Sequence, residues 1–118
     1  MYIDEFRSFC LTFPETREDQ PFGPDVLVFK VCDKMFALLS LDEIPPRANL
    51  KCDPERAVAL REAYAAVTPG YHMNKRHWNS VALSAEMPTP LVQAMVEASY
   101  RLVVAGLRKA DRERLAET

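Results

Sequence analysis

One stretch of this 118-residue chain concentrates the side chains able to do chemistry. From Thr68 to Leu83 it holds both histidines, the only tryptophan, two adjacent cations and two asparagines. Lys75 and Arg76, joined by His72 and His77, offer hydrogen-bond donors to an anion such as phosphate. Asn74 and Asn79 offer amide edges, and Tyr71 and Trp78 offer faces on which a flat ring can stack. Basic residues interleaved with aromatics suit nucleic acid better than they suit a plain solvated surface. The competing structural reading makes Trp78 a core or edge anchor and Lys75-Arg76 a solvated turn.

Other chemistries find less support. His72 and His77 are five positions apart, which is not the i, i+4 spacing that sets two ligands on one helical face. The nearest acids in sequence are Glu62 and Glu86, so neither a metal site nor a cofactor is expected. The three glycines are scattered, which excludes a phosphate-cradling loop and a dinucleotide fingerprint. A thiol–imidazole pair, Cys52 with His72 or Cys10 with His77, would need tertiary proximity that no local signature announces. The sequence is therefore expected to encode a binding protein, not an enzyme. Cys10, Cys32 and Cys52 form no CxxC pair and are odd in number, as expected of free thiols in a reducing compartment. The acidic start, Met1-Tyr2-Ile3-Asp4-Glu5, is unlike a signal peptide, and no apolar run reaches membrane-spanning length. The expected location is the cytoplasm, with no membrane partner.

Net charge is −2, so the molecule as a whole is not a polycation. The distribution is uneven. Residues 1–46 carry 4 Lys+Arg against 9 Asp+Glu, whereas residues 47–79 carry 6 against 3. Any anion-binding patch is expected in that central segment.

These residues need elements to position them, and 118 residues with 48% hydrophobic content suffice for one domain, 1–118, with its own core. Ile3, Phe6, Cys10 and Phe13 recur at helical spacing, predicting a first helix over about 5–13 with Asp4 as cap. A polar loop, Glu15 to Asp25, follows, with Phe22 between prolines expected to plug into the core. Val26–Val31 and Met35–Leu41, joined through Cys32-Asp33-Lys34, predict a β-hairpin. In Arg47–Cys52, Ala48, Leu50 and Cys52 alternate with Arg47, Asn49 and Lys51, predicting a strand whose polar row faces water or a ligand. Asp53-Pro54-Glu55 starts a helix to about Tyr64. Ser80–Ser84 predicts another strand, and one more short strand has room near Tyr71–Asn74. Thr89 is placed to cap a largely buried helix over about 91–105, which Gly106 ends. From about residue 108 the tail is highly charged, a short helix or a frayed end. The order is α-β-β-β-α-β(β)-α: an α+β, two-layer fold, an antiparallel sheet with helices packed on one face.

The segments PFGPDVLVFKVCDKMFALL, NLKCDPERAVALRE and VTPGYHMNKRHWNSVAL stand in this order and separation. Through them the chain, from Phe6 to about Leu107, resembles the MmcQ/YjbR family of small bacterial proteins, GYHMNKRHWN being the most specific part. The resemblance implies a CyaY-like or secretion-chaperone-like fold, in agreement with the order above, and a DNA-binding role. It transfers no catalytic set. The candidate nucleic-acid or ligand-binding residues, Arg47, Asn49, Lys51, Tyr71, His72, Asn74, Lys75, Arg76, His77, Trp78 and Asn79, rest on their chemistry. The alternatives are a protein or peptide partner, as the chaperone-like shape suggests, or a small anionic ligand near His72, Lys75 and Trp78. A monomer or small homo-oligomer is expected.

Overall fold

A computed structural model describes residues 1–118. The elements run α1 (Ile3–Leu11), β1 (Thr16–Asp19), β2 (Val26–Val31), β3 (Lys34–Ser40), β4 (Arg47–Lys51), α2 (Pro54–Ala63), β5 (Val67–Pro69), β6 (Trp78–Ala82), α3 (Thr89–Ala105) and α4 (Lys109–Ala116). The strands form one six-stranded sheet in the order β1-β2-β3-β4-β6-β5, every neighbouring pair antiparallel. The α+β reading with an antiparallel sheet is the fold observed.

The β2–β3 hairpin turns on Cys32 and Asp33, both at positive φ (48° and 64°). That is the conformation of a two-residue turn whose twist matches the flanking strands. Three residues later a bulge interrupts the register: Phe29 pairs with Ala37 and Lys30 with Met35, leaving Phe36 as the extra residue. The bulge lets Phe36 and Ala37 both be buried.

The α3 helix lies against β3 and β4 and presents Val92, Met95, Val96, Ser99, Tyr100 and Val103 to the core at spacings of three and one. With Phe6 and Cys10 of α1 and Phe29, Leu39, Leu50 and Val81 of the sheet, the apolar ones among them make the main hydrophobic core. Each fully buried side chain of that size stabilises the fold by about 1.5–3 kcal/mol. Ser99 is the one polar residue among the buried positions of α3. Its Oγ donates to the Phe36 carbonyl at 2.5 Å and accepts from the Lys51 amide at 2.8 Å. The β3–β4 ladder ends at Ala37–Leu50, and the hydroxyl bridges the two strands just past that point.

Several sequence expectations need correction. Thr16–Asp19, read as loop, is an edge strand: its residues are all polar, so no apolar alternation marks it. Charged pairs steady it, Lys30 reaching Asp19 at 3.2 Å and Arg7 reaching Glu18. The short extra strand is Val67–Pro69, not Tyr71–Asn74. Phe22 is 62% exposed and plugs nothing, because its loop stays outside the core. Helix α1 begins before Asp4, and Glu5 closes its start by accepting from the Tyr2 amide at 3.0 Å. Thr89 is the first helical residue of α3, not its cap. The tail is helical, tied back by Arg114, which donates to Glu15 at 2.8 and 2.9 Å and to Asp111 at 2.7 Å. No helix is long and apolar enough to cross a membrane.

Candidate functional site

The sheet has two faces with different fates. One carries the core against α1 and α3. The other is built from the alternate residues of β2, β3 and β4, and it forms the floor of a half-open cleft of about 460 Å³. Val26, Leu38 and Ser40 belong to that floor, with Arg47 and Asn49 beside them. Phe22, from the loop ahead of β2, stands at one lip, and Tyr71, His72 and Met73 form the other wall.

The expected polar row of β4 is therefore not a solvated face. Asn49 is only 6% exposed, and Arg47 and Lys51 are half-buried. The reason is the loop after β5, which folds back over the strand. Asn49 Oδ1 accepts from the Ser80 hydroxyl, and Ser80 Oγ accepts from the Tyr71 amide at 2.9 Å. Two buried polar side chains of the floor thus hold the loop by its backbone. Arg47 completes the attachment: its guanidinium lies 4.2 Å from the centre of the Tyr71 ring, and Nη2 is 2.9 Å from Glu43 Oε2. That contact is poorly aligned for a hydrogen bond, since Arg47 Nε and Glu43 Oε2 are both buried without a hydrogen-bond partner. Buried polar atoms left so are uncommon.

The loop between β5 and β6 is tightly tied at its base. Gly70 donates to the Trp78 carbonyl at 2.9 Å. A β-carbon on Gly70 would lie 2.8 Å from Trp78 Cβ and 2.9 Å from its carbonyl oxygen, so only glycine fits. Beyond it His72 takes a positive φ of 58° within the cleft wall. Asn74 Oδ1 accepts from the Arg76 and His77 amides at 2.9 and 3.3 Å, shaping the tip.

The sequence candidates consequently separate into three groups. Arg47, Asn49, Tyr71 and His72 converge on the cleft. Asn74 and Asn79 are engaged in structure: Asn79 donates to the Ala57 carbonyl at 3.2 Å and accepts from Arg61 at 3.4 Å, locking α2 to β6. Lys51, Lys75, Arg76 and His77 gather at the other end of β4. There Lys51 pairs with the half-buried Trp78, and the Cys52 amide donates to the His77 carbonyl at 2.7 Å. Lys75 Nζ reaches the Gly70 carbonyl at 3.1 Å, while Lys51, Arg76 and His77 engage in no side-chain hydrogen bond or ion pair.

Sequence reasoning missed Phe22, Val26, Leu38, Ser40, Asp42, Glu43 and Met73 of the cleft. Ser40 pairs with Arg47 across β3 and β4, so continuing the alternation of one strand onto its neighbour could have found it. It also missed Arg56 and Arg61. Both lie on α2, whose Arg61 donates to the Lys75 carbonyl at 3.1 Å, beside the loop tip. Cys10 and Cys52 are buried, burial pushes both thiols up from their ordinary range, and neither side chain meets a histidine side chain in a hydrogen bond. No three His, Cys, Asp or Glu side chains converge.

A six-stranded antiparallel sheet with helices on one face and a loop-walled cleft on the other defines a small α+β protein built around a concave site. The chain belongs to the YjbR family, whose model matches residues 11–102. It is similar to the protein YbdF of Escherichia coli O157:H7, 42% identical over 109 residues that cover 92% of this chain and 89% of that one. It is 32% identical over 117 residues to the protein YjbR of Escherichia coli strain K12, covering 99% of each. Among solved structures, Deinococcus radiodurans protein DR2400 matches with a TM-score of 0.90 at 40% identity, over 98% of this chain and 88% of that one. A Pseudomonas syringae protein matches at a TM-score of 0.76 and 30% identity, over 86% and 98% of the two chains.

Proposed function

We propose that this is a non-catalytic DNA-binding protein that meets phosphate at the end of the sheet formed by β4, α2 and the loop tip. One observation carries the reading. Eight of the fifteen Lys and Arg side chains sit in ion pairs. Of the seven that do not, five are Lys51, Arg56, Arg61, Lys75 and Arg76, and backbone contacts draw the segments that carry them together. Outside this neighbourhood only Lys34 and Arg112 lack a carboxylate partner, so the unmatched cations are concentrated in one place. Phosphate contacts made by such groups release counterions and supply affinity without reading sequence. The acids of this neighbourhood, Asp53, Glu55 and Glu62, pair with none of the five, and Asp53 is occupied in accepting from the Arg56 amide.

Non-catalytic action is inferred from the burial of Cys10 and Cys52 and from His72 and His77, neither of whose side chains makes an ion pair with a carboxylate. The test is titration of a labelled duplex and a labelled single strand at two salt concentrations. Binding at micromolar protein that weakens steeply with salt supports the reading. No binding at low salt removes it.

A further inference from the structure

We propose that the cleft on the helix-free sheet face is a pocket for one unpaired nucleobase, stacked against Phe22 or Tyr71 while its strand's phosphates lie on the loop tip. The inference rests on the DNA reading above and deepens it.

Charge decides which part of a nucleotide can enter. The cleft holds two carboxylates, Asp42 and Glu43, against one guanidinium, Arg47. Its own charge therefore repels a phosphate and favours an uncharged group with N–H donors. Carboxylates accept from the amino group of cytosine, and Arg pairs with guanine edges; both side-chain types line this cleft, whereas Asn49 is committed to Ser80 and the Tyr71 backbone.

Shape points the same way. The floor is apolar at Val26 and Leu38, which suits the face of a ring. Phe22 precedes β2 and Tyr71 stands over Arg47 of β4, so the lips are about two strand spacings, ~10 Å, apart. A single ring system fits between them and a duplex does not. Phe22 is 62% exposed and pairs with no other ring, leaving a stacking face free.

Connectivity joins the two functions. One loop supplies Tyr71, His72 and Met73 to the cleft wall and then Lys75 and Arg76 to the cationic end. A strand whose base enters the cleft runs its backbone past those cations.

The experiment uses the full chain, wild type and Phe22→Ala, with a short single strand, the matching duplex, and deoxycytidine monophosphate alone. Phe22 is exposed, so its removal leaves the fold intact. Loss of one stacking partner should weaken single-strand binding by about tenfold, with duplex binding unchanged. Photo-crosslinking of a 5-iodocytosine-containing single strand should map to Phe22 or to the Tyr71–Met73 segment. Equal single-strand affinity in Phe22→Ala, with crosslinks confined to residues 75–78, overturns the base pocket and leaves the DNA reading standing. A thermal shift with the mononucleotide, reduced in Phe22→Ala, but no binding of either DNA, keeps the base pocket and overturns the DNA reading. No response to any of the three probes overturns both.

Discussion

Removing Lys51 and Arg76 together tests the cationic end without disturbing the fold, because neither side chain has a partner to lose. For duplex DNA the slope of log affinity against log salt is about −0.9 per phosphate neutralised. If all five unmatched cations contact phosphate, the slope is about −4.5, and affinity falls about 500-fold between 50 and 200 mM salt. The Lys51→Ala/Arg76→Ala variant keeps three, so its slope is about −2.7 and the same interval costs about 40-fold. The assay is fluorescence anisotropy of a labelled duplex at four or more salt concentrations, repeated on two unrelated sequences, since phosphate contacts carry no sequence information. The control is Arg101→Ala/Lys109→Ala, two exposed cations already matched to Glu97 and Glu113 on α3 and α4. A double variant whose slope stays at the wild-type value, or a control whose slope falls as far, refutes the argument that unmatched cations mark the interface.

Three further outcomes follow from the packing. Ser99→Ala deletes the hydroxyl that bridges the Phe36 carbonyl and the Lys51 amide, so urea unfolding should report a loss of about 2–4 kcal/mol, two buried groups each left unsatisfied; a loss below 0.5 kcal/mol, roughly the worth of a surface change, contradicts the bridge. Gly70→Ala drives a β-carbon into Trp78, and should cost about 1–3 kcal/mol with a shift in tryptophan emission; wild-type stability and emission would mean the loop base is not packed as described. Acid should destabilise the fold. The carboxyls of Glu15 and Asp111 are held below their usual range chiefly by hydrogen bonds from Arg114, and that of Asp19 by the Gln20 amide. Their stabilisation is complete above the unfolded carboxyl range, about pH 4, and is lost as pH falls through the lowered folded values. Thermal melts from pH 6 to pH 2 should show that decline, and Arg114→Met should flatten it; an unchanged pH profile in the variant would exclude Arg114 as the cause.

The fold was legible in the sequence wherever one physical preference dominated. The β2–β3 hairpin, the Asp53-Pro54 helix start and the apolar face of α3 each combine propensity with periodicity, and each forms within a few residues of its expected place. Edge strands were not legible. Thr16–Asp19 and Val67–Pro69 are held by ladder hydrogen bonds to a neighbour, and the side chains of so short a strand carry no pattern. The cleft was half legible. Alternation in β4 placed Arg47 and Asn49 on the face away from the core, but what covers that face is decided by a loop 22 residues further on. Phe22 misled because an aromatic among prolines suggests burial, and only the tertiary arrangement puts it at a lip.

Ion pairing explains why the central segment keeps its charge. Residues 1–46 are acidic, yet their carboxylates are largely taken: Glu15, Glu18, Asp19, Asp33 and Glu43 each hold a cation, and two of those cations come from outside the segment, Arg47 and Arg114. Apart from the Glu43–Arg47 pair beside the cleft, that matching is made at the β1–β2 end of the sheet and by α4. The cations of residues 51–76 pair with none of those carboxylates, nor with the three local acids, Asp53, Glu55 and Glu62. An exposed ion pair is worth at most about 1 kcal/mol, so leaving five cations unmatched costs the fold little. It keeps intact the electrostatic attraction that a polyanion would use, and this asymmetry of pairing, more than net charge, is what distinguishes the two ends of the sheet.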